Sequence, residues 1–273
     1  MSIALLITFR ETLEASLVVG IILAYLRKTE NAHHERFIWS GVGLGAMFSL
    51  VLAYVFDRLL GGFTGRAEEI YEGMTMLVAA GLLSWMIIWM MRQSASLRRS
   101  IEQKVETHIE RDHPVGLMLL AFLSIAREGT ETVIFLKAAF LQAQSAYSSA
   151  GAVLGIVLAV AISYLLFKGM RYLPIKSFFR ISGIILILFA AGLAAHGAHE
   201  FMEAGLLPES MTLWNLAAHP VLSADAFAGS MMKALLGYND KMTLLEGLVY
   251  LVYVGGIIGV WNSINRTPRT TIR

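Results

Sequence analysis

The sequence predicts an all-α polytopic membrane protein: seven transmembrane helices, built as an inverted repeat of three plus three with one helix appended. Three observations carry this. Charged residues make up 15% of the 273-residue chain and apolar residues 56%, whereas soluble domains average about 25% charged. The apolar residues gather into seven blocks, at 3–26, 36–60, 68–91, 114–139, 148–171, 178–204 and 243–264. Each is close to the ~20 residues that a helix needs to cross a bilayer. Finally, one charged pentad recurs in the first and fourth blocks. Strands are not expected as spans, because an open sheet edge cannot be satisfied in lipid.

The first block, from Ile3 to Leu26, carries Arg10, Glu11 and Glu14 near its middle. A cleaved signal peptide does not fit, since no Lys or Arg precedes the apolar run and three charges interrupt it. The second and third blocks, 36–60 and 68–91, complete repeat 1 (residues 1–91). Residues 92–113 form a linker in which Leu97, Ile101, Val105 and Ile109 recur every fourth position between charges. That pattern predicts an amphipathic surface helix lying against the membrane or the bundle. Blocks four to six make repeat 2 (114–204). An external segment (205–242) follows, broken by Pro208, Pro220, Gly229 and Gly237, where short amphipathic helices are expected. The seventh span (243–264) closes a single transmembrane domain, and 265–273 form a tail.

Lys and Arg set the orientation. The connections after spans 1, 3 and 5, together with the tail, hold 15 of them, and the opposite face holds 5. Arg10 and Arg127 sit inside spans. By the positive-inside rule the N-terminus is outside and the C-terminus cytoplasmic. The chain has no cysteine, which excludes disulfides, thiolate metal sites and cysteine redox chemistry. No basic run points to nucleic acid.

The pentads are Arg10-Glu11-Thr12-Leu13-Glu14 and Arg127-Glu128-Gly129-Thr130-Glu131. Spacing i,i+3 puts Glu11 with Glu14, and Glu128 with Glu131, on one helix face each. Each Arg stands i,i+4 from the second Glu and can neutralise it when no cation is present. Three spans separate the copies, so the two halves have opposite orientation, and inverted repeats place their site near the bilayer midplane. Mid-membrane charges cost about 2.5–3.5 kcal/mol each on insertion scales, so six of them point to function before structure. Four Glu against two Arg leave a net negative site, which suits a cation.

Further carboxylates stand at the external helix ends. Glu68, Glu69 and Glu72 open the third span, and Glu200 and Glu203 close the sixth. As secondary acidic sites they would concentrate cations at an entrance; as ordinary helix ends, Glu68 and Glu69 need only the first-turn preference for acids. His196 and His199, one turn before Glu200 and Glu203, are accessory metal-ligand candidates.

The chain resembles the oxidase-dependent iron transporter family, which includes fungal high-affinity iron permeases and bacterial EfeU-type permeases. That family's hallmark is R-E-G-x-E on the first and fourth membrane helices, and here the first copy has Thr12 in place of the glycine. The stretches AAGLAAHGAHEFMEAGLLPE (190–209) and LLGYNDK (235–241), with Glu246, extend the likeness to bacterial members. The resemblance implies iron import through a bacterial inner membrane. Glu11, Glu14, Glu128 and Glu131 would handle the ion, which is substrate and not a resident cofactor. It also implies external partners: a ferroxidase in fungi, an iron-binding protein and a haem peroxidase in many bacteria. Carboxylates without cysteine agree with a hard cation. Two rivals stand beside this reading. One is a transporter of another metal, such as manganese or lead, on the same scaffold. The other is a membrane di-iron oxidoreductase, which would pair E-x-x-H motifs with further glutamates; neither pentad has a His at that offset.

Overall fold

The computed structural model describes residues 2–60, 64–93, 97–110, 113–143, 148–167, 175–216, 229, 232–233 and 237–266. Residues 168–174, most of 217–236 (with Pro220), and the tail beyond 266 lie outside the described residues. The described residues form eight α-helices: α1 Ser2–Lys28, α2 Glu35–Leu60, α3 Arg66–Gln93, α4 Leu97–Glu110, α5 Pro114–Ala143, α6 Ser148–Phe167, α7 Ile175–Glu203 and α8 Leu244–Arg266. A 3₁₀ turn, Ala32–His34, precedes α2. Among the described residues, four segments are long and apolar enough to cross a membrane: Ala32–Arg58, Arg66–Trp89, Ile181–Glu203 and Leu244–Ser263. Helices α1 and α5 are as long or longer, but carry the pentad charges mid-length. Large apolar side chains such as Leu50, Trp85 and Val252 are exposed along these helices, a surface that water would not tolerate and lipid does.

The chain divides into two compact units. The first takes α1, α2, α4, α6 and α5 as far as Phe140; the second takes α3 as far as Met90, residues 141–143, α7 from Arg180, and α8. The division cuts across the repeats: the first two spans of each belong to one unit and the third spans to the other.

In the first unit, small residues let helix backbones approach. The buried face of α6 carries Gly151, Ala152, Gly155 and Ala159, and Thr8 on α1 donates its hydroxyl to the Ala152 carbonyl at 2.9 Å. A Cβ on Gly155 would lie 2.9 Å from the Phe9 nitrogen, and one on Gly45 of α2 would lie 2.7 Å from the Ile125 Cβ of α5. These two contacts correspond. Thr8 and Ile125 are 117 residues apart, as the pentads are, and Gly41-x-x-x-Gly45 matches Gly151-x-x-x-Gly155. Lys137 pairs with Asp57 at 3.1 Å to join α5 and α2. Helix α4 packs on the bundle: Ile101 and Val105 are buried among Val19, Ile22 and Leu26 of α1, Ile38 of α2, and Leu117 and Ala121 of α5. Its four-residue apolar spacing therefore serves a protein core.

In the second unit α3 and α7 meet glycine to glycine. A Cβ on Gly73 would stand 3.0 Å from the Gly197 carbonyl, and the reverse distance is also 3.0 Å. The Tyr253 hydroxyl of α8 donates to the Ala80 carbonyl at 2.9 Å and also meets Ser84. In segment 205–242 the described residues 229, 232 and 233 are helical, in line with the short helices expected there. Beyond that expectation, two short antiparallel strands form, β1 Thr212–Asn215 and β2 Lys241–Thr243, pairing Thr212 with Thr243, Trp214 with Met242 and Asn215 with Lys241. The rule against strands concerns membrane spans, and strands of 4 and 3 residues are too short to be spans.

Gly45→Leu should unfold at lower temperature and accumulate less than the unaltered protein, since overpacking a close contact costs about 1–3 kcal/mol. Gly43→Leu, on the same helix with no heavy atom within 4 Å of its Cβ position, should do neither; thermal unfolding in detergent compares the two.

Candidate functional site

The i,i+4 pairs expected within each pentad are formed, but not equivalently. Arg10 is fully buried; its two terminal nitrogens reach Glu11 Oε1 at 3.0 Å and Glu14 Oε1 at 2.9 Å. Arg127 has a side chain 45% exposed, with Nε 2.9 Å from Glu131 Oε1 and 4.0 Å from Glu128 Oε1. Thr132 and Thr130 turn their hydroxyls back to the Glu128 and Ala126 carbonyls, so the polar residues around the second pentad stay within α5.

The two pentads converge. One carboxylate oxygen from each of Glu11, Glu128 and Glu131 lies within 4.8 Å of the other two. All three side chains are mostly or wholly buried, and no hydrogen-bond donor reaches Glu11 Oε2, Glu128 Oε2 or Glu131 Oε2. Buried carboxylate oxygens normally have donors. Three buried carboxylates brought this close, each with an oxygen lacking a donor, form an oxygen acceptor set that a hard cation fits. Glu14, the fourth expected member, is held on Arg10 and does not belong to this trio.

Close helix packing is visible at the second pentad. At Gly129, between Glu128 and Glu131, a Cβ would run into the Ser49 side chain of α2. The glycine of the second pentad is thus needed for α2 to approach α5. In the first pentad Thr12 is half-buried on α1, and α1 instead gains its contact from the small face of α6.

The other expected residues lie in the second unit. Glu68, Glu69 and Glu72 stand in the first turns of α3, and Glu200 and Glu203 in the last turn of α7. Glu200 is within electrostatic reach of Glu72, Glu203, Glu69 and Glu68, so the acidic ends form one patch beside the Gly73–Gly197 crossing. His196 and His199 stack with ring centroids 5.8 Å apart. His196 Nε2 is 3.6 Å from Glu200 Oε1, and His199 Nε2 is 3.3 Å from Glu203 Oε1. The imidazoles are therefore placed against the carboxylates one turn on, and no described metal cluster includes them.

One residue outside the expected set is Glu246. It is 1% exposed, with its Oε1 3.7 Å from His199 Nδ1. Its Oε2 accepts from the Thr243 backbone nitrogen at 2.6 Å and hydroxyl at 2.8 Å, and Asn239 donates to its Oε1 at 3.1 Å. This is a capping box opening α8, and the T-x-x-E spacing before an apolar run was its signal in the sequence. Gln142, His196, Lys233, Asn239 and Glu246 line a cavity of about 10 Å³ beside it, room for a single water.

Comparison with known proteins identifies the family. The ferrous iron permease EfeU of Escherichia coli O6:K15:H31 (strain 536) is 34% identical over 93% of this chain and 92% of its own. A counterpart in strain K12, described as inactive, matches to the same extent. The ferrous iron permease EfeU of Yersinia pestis is 32% identical over 93% of this chain and 90% of its own. These relatives are permeases and not enzymes. No solved structure matches. The model of the iron permease FTR1 family matches residues 1–263, and the chain, a multi-pass membrane protein on this likeness and its apolar helices, belongs to that family.

Proposed function

We propose that this protein imports iron across the cytoplasmic membrane of a bacterium, through a site to which both R-E-x-x-E pentads contribute. The observation that carries the reading is the buried trio Glu11, Glu128 and Glu131, drawn from α1 and α5, whose second oxygens lack donors. An oxygen-only site without imidazole or thiolate favours a hard cation, and the family and the ferrous iron permeases above supply iron as that cation. Glu14, held by Arg10 beside the trio, is a further ligand within the same pathway. The seven apolar blocks are read as seven spans, with α1–α3 and α5–α7 as inverted halves, the N-terminus outside and the C-terminus cytoplasmic. The matched packing at Gly45–Ile125 and Gly155–Thr8 supports the internal repeat.

Glu68, Glu69, Glu72, Glu200 and Glu203 form the external entrance, where negative charge raises the local cation concentration; His196 and His199 sit beside it as accessory groups. The described strands and Trp214 offer a polar–aromatic surface for an external iron-binding or iron-oxidising partner. Iron passes as substrate, and no permanent cofactor is needed for that. Manganese or lead would meet the same carboxylates, and competition in the uptake assay separates them from iron.

In proteoliposomes, Glu131→Gln should reduce radiolabelled iron uptake to near background while membrane abundance stays normal; uptake at the unaltered level would remove the trio from the pathway. Adding ferrous iron or manganese at ~100 times its dissociation constant should stabilise the purified protein by about 2.7 kcal/mol. Glu128→Gln should lose most of that gain in a thermal shift measurement. A C-terminal reporter should register as cytoplasmic and one inserted near Ser210 as external; the same side for both would overturn the inverted arrangement.

A further inference from the structure

The two arginines of the repeated pentad differ in a way that the sequence does not announce. Arg10 is fully buried and spends both terminal nitrogens on Glu11 and Glu14. Withdrawing it would strand two carboxylates in a low-dielectric interior, so it is fixed. Arg127 keeps nearly half its side chain exposed, is 2.9 Å from Glu131 and stands off at 4.0 Å from Glu128. It touches the trio at one edge, and the exposed part of its side chain lies away from the buried carboxylates.

We propose that Arg127 sets the charge of the cation the trio accepts, while Arg10 serves as an immobile counter-charge. This rests on the reading of the trio as the transport site.

The argument is a charge count. Ligation needs ionised carboxylates, so a loaded trio of Glu11, Glu128 and Glu131 contributes three negative charges. Glu14 is matched by Arg10. With Arg127 on Glu131 the trio carries two net negative charges, which balance a divalent ion. With Arg127 turned away or neutralised it carries three, which balance a trivalent one. At these separations one unit of charge changes a cation's binding by well over tenfold, even at an effective dielectric constant of about 20. Selectivity is the difference between two such bindings, so the residue that alters the count governs it. Arg10 lacks this leverage, because removing it breaks two pairs and disturbs the packing first. The duplicated motif has thus divided its labour: one copy anchors, the other discriminates.

The test uses the purified full-length protein and thermal stabilisation by Mn²⁺ and by redox-inert Ga³⁺, each at buffered free concentration. The readout is the ratio of the two half-stabilising concentrations. Arg127→Gln should shift this ratio toward Ga³⁺ by at least about tenfold, and Arg127→Lys, which keeps the charge, should restore most of it. Arg10→Gln should lower the unfolding temperature without cation and leave the ratio near its original value. An unchanged ratio in Arg127→Gln, or an equal shift in Arg10→Gln, would overturn the proposal. Glu131→Gln separates this failure from that of the transport site. Lost Mn²⁺ stabilisation there, with an unchanged ratio in Arg127→Gln, sinks only the selectivity role. Undiminished Mn²⁺ stabilisation in Glu131→Gln sinks the site and this inference with it.

Discussion

A carboxylate at the centre of a membrane helix has lost its water and must be compensated by something the protein supplies. That requirement shapes the first unit. Each pentad carries its own cation one turn before its second glutamate, so neither helix depends on the other to become tolerable in lipid. Arg10 meets the requirement with both terminal nitrogens, bridging Glu11 and Glu14 at 3.0 and 2.9 Å. Arg127 meets it in part. What is left over is the set of donor-free oxygens on Glu11, Glu128 and Glu131, and this residue of uncompensated charge is what the proposed transport site consists of. A closed set of ion pairs would have been more stable and would have had no affinity for an incoming cation.

In the close approach of the helices the two pentads part company. Gly129 leaves space that Ser49 of α2 fills. At the matching place in the other half, α1 carries Thr12, and the α6 residue corresponding to Ser49 is Ala159, fully buried. Bulk has been exchanged between motif helix and packing helix, so the sum is kept while the motif departs from its family pattern. Substitution of the hallmark glycine is therefore no sign of a lost site, provided the facing helix is small where the motif helix is large.

The helices were legible because the bilayer fixes their length and the apolar blocks match it. The i,i+4 Arg–Glu pairs were legible because helix geometry alone sets them, and the α4 core contacts because Ile101 and Val105 follow that same spacing. The membership of the trio was not. It depends on the register of α1 against α5, a relation between helices that no spacing within one helix reports. The strand pair was hidden for a related reason. Residues 212–215 and 241–243 pair across a long intervening segment, and strands of 4 and 3 residues leave almost no periodic trace. By contrast the Thr243–Glu246 capping box was local and could have been read.

Each unit holds two acidic i,i+3 pairs, one from each repeat. In the first unit they are Glu11/Glu14 and Glu128/Glu131; in the second, Glu69/Glu72 and Glu200/Glu203. Only the first set comes with arginines, and depth explains the difference. Glu68, Glu69 and Glu72 lie in the opening turns of α3 and Glu200 and Glu203 in the final turn of α7; Glu203 is exposed, while Glu200 is buried with His196 beside it. In this chain the E-x-x-E pairs preceded by arginine lie inside their helices, and those without it stand at helix ends. On the proposed reading, selection falls to the arginine-bearing set, because there an incoming cation must compete with Arg10 and Arg127 for carboxylates they already hold.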